Sequence, residues 1–237
     1  MDFALSEEAR AIEEVARAFG EAEIAPHARA WEKAGTIPRE LWPKLAELGF
    51  GGLCVAEESG GAGLSRLQAT LVFEALSRSC ASVAAFLSIH NMCATMIDRY
   101  GSEDLRARHL GPAIAMERIF SYCLTEPGSG SDAAALSTKA ERTNAGWRLT
   151  GTKAFISGGG YSDAYIVMAR TGGAGPKGVS ALIVEDGAEG LSFGGLEDKM
   201  GWRSQPTRQV QFDACPVPEA ALLGEEGRGF VYAMAGL

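Results

Sequence analysis

Apolar residues recur along this chain with two different periods. Up to about residue 117 they fall at helical spacing, and from about Ile119 to Leu223 they alternate. Ala9, Ile12, Val15, Ala16 and Phe19 follow the i, i+3, i+4, i+7 rule of an amphipathic helix. Ser6 just before it suits an N-cap, and Glu7 and Glu8 suit the positive end of the helix dipole. A shorter helix is predicted around Leu41, Leu45 and Leu48 with Gly49 as its stop. Pro43 fits it only in the first turn, where no amide donor is missed. After the loop EESGGAGLS a third helix carries Leu67, Leu71, Ala75 and Leu76 on one face. A fourth, from about Ser82 to Asp98, is apolar nearly all round, which marks a buried helix. It contains His90 and Asn91, read either as a polar pair satisfied by neighbouring helices or as a pair near a ligand pocket or domain seam. A helix around Glu103 to Met116 closes this block.

Beyond it the runs FSYCLT, KAFIS, AYIVMAR, VSALIVE, LSFG and QVQFD are short, alternating and separated by glycine-rich turns. Several such strands without intervening helices predict an antiparallel barrel or sandwich. Residues 229–237 turn helical again. The expected fold is α+β: an all-α block over 1–117, an antiparallel β-barrel over 118–223, and the start of a third, helical element over 224–237.

Composition narrows the function classes. A net charge of −8 argues against unaided nucleic-acid binding, which rewards clustered Lys and Arg. Five scattered cysteines without a CxxC pair read as reduced thiols, and His27, His90 and His109 make no metal-ligand spacing. The acidic N-terminus resembles neither a signal nor a transit peptide, and no apolar stretch is long enough to span a bilayer. A cytoplasmic protein without membrane attachment is expected.

The candidate chemistry lies in CLTEPGSGSD, residues 123–132. A nucleotide-hydrolysing loop would need a lysine after the glycines, and none is there. A dinucleotide fingerprint would open a helix between parallel strands, whereas these surroundings are β. TGGAGPKG (171–178) lies between two predicted strands and reads as a plain hairpin. What remains is a loop at a barrel edge with small residues, free amides and the hydroxyls of Thr125, Ser129 and Ser131. It is either a Gly/Ser turn or a cradle for an anion or a flat polar ring.

The order of its residues resembles the signature of the acyl-CoA dehydrogenase family of flavoenzymes at every constrained position. LGFGGLCVAEESGGAGLS, LTGTKAFISGGG, KMGWRSQPT and VPEAALLGEEGRGF extend the resemblance over essentially the whole chain. It implies a helical domain, a middle β-barrel and a C-terminal four-helix bundle, with FAD and acyl-CoA between them. Tyr122, Cys123, Leu124, Thr125, Glu126, Pro127, Gly128, Ser129, Gly130 and Ser131 would line the flavin and pyrophosphate side of FAD, and Ser131 would also contact the CoA substrate. Phe155, Ile156 and Ser157 would cover the other side, Phe155 standing where many members have Trp and Ser157 where many have Thr. The implied reaction removes an α-proton from an acyl-CoA and passes the β-hydrogen to flavin N5 as hydride. Donors fixed near N1 and C2=O would stabilise the charge left there, as an oxyanion hole does.

The family's catalytic base is a bundle glutamate, expected beyond residue 237, so no catalytic residue is assigned within this chain and Glu126 is not the base. Electrons would leave through an electron-transferring flavoprotein, and complete members are usually homotetramers. SIHNMC (88–93) and WRSQPTR (202–208) look most like the branch that handles isobutyryl-CoA, with Phe86, Leu87 and Met92 flooring a short pocket. Alternatives are a non-catalytic flavin or acyl-CoA binding module, or an unrelated helical interaction domain fused to a β-sandwich. Lacking a bundle, the apolar faces of helix 82–98 and of 229–237 are expected to be exposed.

Overall fold

In the computed structural model, which describes residues 4–236, helices come first and strands follow. Helix α1 (Glu7–Phe19) starts where Ser6 Oγ accepts from the Ala9 amide at 3.1 Å. Its inward face is narrower than the spacing predicts: Ala9 and Ala16 are buried, whereas Val15 is 46% exposed. A π-helical turn at Gly20–Ile24 leads into α2 (Ala25–Ala34), which periodicity does not announce because none of its residues is buried. α3 (Leu41–Glu47) keeps Pro43 in its first turn, and the chain leaves it through Gly49 at φ 78°. α4 (Arg66–Ser79) opens with a reciprocal Ser65–Gln68 capping box. Leu71, Ala75 and Leu76 face inward from it, but Leu67 points to solvent.

α5 (Ala81–Tyr100) runs through the middle of the molecule, with Val83, Phe86, Leu87 and Ile97 fully buried. Asn91 accepts from the Leu53 amide at 2.7 Å and donates to the carbonyls of Phe50 and Leu87 at 2.8 and 3.0 Å. Its neighbour His90 marks the seam between the two blocks. Its Nε2 donates to the Ala113 carbonyl of α6 (Glu103–Ile114) at 2.9 Å. Its Nδ1 accepts the amide of Phe120, the first strand residue, at 3.1 Å. An acceptor at Nδ1 fixes the neutral tautomer with its proton on Nε2.

The strands are β1 (Phe120–Cys123), β2 (Lys139–Thr143), β3 (Gly146–Ser157), β4 (Ala164–Arg170), β5 (Val179–Glu185), β6 (Leu191–Leu196), β7 (Thr207–Pro218) and β8 (Leu222–Leu223). They form one sheet in the order β6-β7-β3-β2-β4-β5-β8, with β1 on β4. Most pairs are antiparallel, as expected, but β1 joins β4 in parallel, Phe120 opposite Ala164 and Cys123 opposite Val167. A parallel partner requires a long return path, and the loop with the β2–β3 hairpin supplies it. The segment 171–178 is the predicted connection, joining β4 to antiparallel β5. One face of the curled sheet encloses Trp147, Leu149, Tyr165, Val167, Leu182 and Phe212. The opposite face of β4 and β5 packs Ile166, Met168 and Ile183 with Ile97, Leu105 and Leu110.

Two further ties hold helices to sheet. The Glu32 carboxylate of α2 accepts from Ser82 Oγ, the Arg203 amide (2.8 Å) and both the amide (3.1 Å) and hydroxyl (2.7 Å) of Ser204. Burial raises this carboxyl, but those donors overcome it and bring its pKa to about 2. α7 (Gly229–Gly236) lies on α5 and β5, its Tyr232 stacked on Tyr100 at 4.1 Å between centroids. The apolar faces expected to be bare are therefore largely covered, because α5 is buried by α4, α6 and β1, and α7 buries Tyr232 and Ala233. Val231 and Met234 remain exposed, and Leu237 lies outside the described residues.

Candidate functional site

At the end of β1 the chain leaves the sheet and closes a tight loop. The Glu126 amide donates to the Ser129 carbonyl at 2.9 Å and the Ser129 amide returns to Glu126 at 3.1 Å, across Pro127 and Gly128. Ser129 Oγ donates to the Asp132 carbonyl at 2.6 Å. The loop is pinned from below by Glu126, whose carboxylate accepts from the Ser137 amide (2.6 Å), Ser137 Oγ (2.7 Å), the Thr138 amide (2.9 Å) and Lys153 Nζ (2.8 Å). Lys153 is wholly buried and also donates to the Leu124 carbonyl at 3.0 Å. Burial pushes the Glu126 carboxyl up, but the Lys153 charge and the surrounding donors outweigh it and its pKa falls to about 2. A buried carboxylate with four donors is a weak base and a strong anchor.

β3 bears the facing wall. Between Lys153 and Ile156 its register with β7 shifts, and within that irregularity Phe155 adopts φ 57° and is 66% exposed. A left-handed phenylalanine costs about 1–2 kcal/mol. Phe155→Asn, which tolerates that backbone, is expected to raise the melting temperature of the ligand-free protein by about 2–4 °C. A fall in melting temperature by calorimetry would mean that the ring packs on protein after all.

Between the loop and Phe155 lies a cleft of about 560 Å³. Tyr122, Leu124, Thr125, Gly130 and Ser131 line it from the loop side, and Phe155, Ile156 and Ser157 from β3. Cys123 turns into the sheet core, Glu126 and Ser129 turn down into the loop's own bonds, and Pro127 and Gly128 face solvent. The Tyr122 hydroxyl is buried in this wall without a partner, and burial raises its pKa. Ile89 and Met92 of α5 and Phe230 and Met234 of α7 also line it, and of these the sequence reading names only Met92. Of the three residues expected to floor the pocket only Met92 does so. Phe86 and Leu87 lie in the helical core, Phe86 edge-on to the rings of Trp42 and Tyr161. Lys153 was equally silent, since a strand lysine ordinarily points to water.

Among the described residues there is no cluster of His, Cys, Asp or Glu able to hold a metal, and all five cysteines are free. No described helix is long and apolar enough to cross a membrane.

Residues 6–117 match the family model for the acyl-CoA dehydrogenase N-terminal domain, and residues 121–215 match that for its middle domain. The chain belongs to the acyl-CoA dehydrogenase family. It is 53% identical to bovine mitochondrial isobutyryl-CoA dehydrogenase over 233 residues, covering 98% of this chain and 56% of that protein. Among solved structures, butyryl-CoA dehydrogenase of Megasphaera elsdenii superposes with a TM-score of 0.92 at 36% identity, over 100% of this chain and 63% of its own. The FAD complex of PigA superposes with a TM-score of 0.93 at 29% identity, again over 100% and 63%. The chain thus spans under two thirds of the length of each of these three proteins.

Proposed function

We propose that this chain supplies the cofactor and acyl-binding part of an FAD-dependent dehydrogenase that oxidises a short branched acyl-CoA such as isobutyryl-CoA to the 2,3-enoyl-CoA. The observation that carries the reading is the cleft, where an exposed strained aromatic ring faces a loop of small residues, free hydroxyls and an unpartnered buried phenol. Such a site suits a flat, polar ring system. Bound FAD would supply the hydride acceptor for the substrate β-carbon.

The residues divide the work. Phe155 would stack on the ring, while the hydroxyls of Thr125 and Ser157 would fix its angle, and Ser131 at the rim would contact CoA. The apolar side chains of Ile89, Met92 and Phe230 would exclude water from the acyl group, which favours loss of a weakly acidic α-proton. Glu126 takes no part in that proton transfer, because all its capacity is used by Lys153, Ser137 and Thr138. Asp132 is exposed at the rim, so the base is assigned to residues outside this stretch. Isobutyryl-CoA as substrate class draws on the name of the bovine relative. An electron-transferring flavoprotein as acceptor and a homotetrameric complete protein belong to the same proposal. So does the cytoplasm, whose reducing conditions suit five free cysteines.

The test is anaerobic titration of the purified protein, expressed at the full length of its gene. It is expected to be yellow and to bleach on adding isobutyryl-CoA, and Thr125→Ala should slow the bleaching roughly tenfold. A colourless protein that takes up no FAD would refute the reading. Stable flavin that no acyl-CoA bleaches would point to a non-catalytic binding module instead.

A further inference from the structure

An open groove of about 380 Å³ is bordered by α4 and α5, and of its lining only Ile89 and Met92 are shared with the cleft. Leu53, Ala69 and Phe73 give it an apolar floor, while its rim is polar. The two helices are joined through Cys80 alone and pack on each other, so the first residue of α4 and the last turn of α5 lie at one end. Arg66 and Arg99 stand at that end. Phe73 is two turns further along α4, about 10 Å along the helix axis and within reach of an eight-carbon chain.

The charges at that end are unbalanced. No Asp or Glu lines the groove, although the chain as a whole carries −8. Arg66 donates to the Ala235 carbonyl, whereas the exposed Arg99 side chain has no ion pair or hydrogen bond among the described residues. The Cys54 thiol, also in the lining, registers both: burial raises its pKa and the two guanidinium charges pull it back. Most neutral donors are committed elsewhere. Thr70 Oγ1 donates to the Arg66 carbonyl and Ser88 Oγ to the Ala85 carbonyl, each at 2.8 Å, and the Asn91 amide serves Phe50 and Leu87. What the groove offers is a pair of positive charges at one end of an apolar trough.

We propose that this groove binds an amphipathic carboxylate, a fatty-acid anion of about eight carbons, with its head on Arg66 and Arg99 and its tail along Ala69 and Phe73. A guanidinium meets a carboxylate with paired N–H donors. The tail leaves water on the apolar floor, each buried methylene tightening binding about fourfold. Inorganic phosphate would find the charges and leave the floor bare. A neutral chain would cover the floor and leave the charges unpaired. The site stands apart from the cleft, which neither arginine lines.

The experiment is calorimetric titration of the protein, at the full length of its gene, with sodium octanoate below its micellar range. A saturable site is expected, with hexanoate about tenfold weaker for its two missing methylenes. Octan-1-ol and inorganic phosphate should each bind at least about tenfold more weakly than octanoate. Arg99→Gln changes only an exposed side chain and should weaken octanoate about fivefold while leaving octan-1-ol unaffected. Arg66→Gln combined with it should bring the loss above about tenfold, and added salt should weaken wild type more than this double variant. Octanoate that does not saturate would overturn the proposal. So would arginine variants that bind it as wild type does, which would place it elsewhere on the protein, or octan-1-ol that binds as tightly as octanoate.

Discussion

Lys153→Met is expected to destabilise the protein by about 3–5 kcal/mol, because it leaves the Glu126 carboxylate buried without its charge partner. Lys153 is inaccessible to solvent, and its ammonium is divided between Glu126 Oε1 and the Leu124 carbonyl. Burial lowers its pKa and the Glu126 charge raises it again, so the pair survives in the interior only as a pair. Glu126→Gln combined with Lys153→Met removes both charges and should recover part of the loss. Urea unfolding of the cofactor-free protein measures both variants. A single-variant change below about 1 kcal/mol would show that the loop does not depend on this ion pair. The same pair predicts acid sensitivity of a definite sign. With its folded pKa at about 2 against 4.5 for a free glutamate, Glu126 contributes stability that is complete above 4.5 and fades as pH falls toward 2.

The second large effect belongs to His90 and occupies a different pH window. Burial, only partly offset by the bond to Ala113, lowers its pKa from 6.5 to about 4. Between those values the unfolded chain binds a proton that the folded one refuses, so stability is full above pH 6.5 and declines as pH falls to 4. The loss amounts to about 3 kcal/mol. His109, whose pKa burial also lowers, contributes with the same sign. The slope due to His90 is therefore read as the difference between wild type and His90→Gln in urea titrations at pH 7, 5.5 and 4.5. Parallel curves for the two proteins across that range would mean that the seam accommodates a charged imidazole.

Much of the fold was legible because it rests on strong periodicity or strong punctuation. The Ser6 cap, the Gly49 stop and the all-apolar α5 each have a single local cause. What was illegible had weak patterning for physical reasons. α2 buries no residue, so no apolar stripe marks it. β2 reads KAERT and turns only Ala140 inward, which is too little for alternation to register. The candidate loop was legible through residue order rather than composition. Its internal division of labour was not, because whether Glu126 or Thr125 faces the cleft depends on where Lys153 stands beneath it. Met92 was legible as a pocket residue, but Ile89 and Phe230 could not be assigned to the cleft from sequence, since helices remote along the chain bring them there.

α5 does three things with one set of backbone atoms. It bonds the strands through His90, braces the preceding loop through Asn91 and walls the cleft through Ile89 and Met92. Three consecutive residues, 89 to 91, thus carry duties to three different neighbours, and the helical geometry gives each its own compass bearing. A substitution at Ile89 or Met92 therefore changes only a side chain in the cleft wall. An insertion or deletion in this helix does far more, since a one-residue slip would rotate all three bearings by about 100° at once.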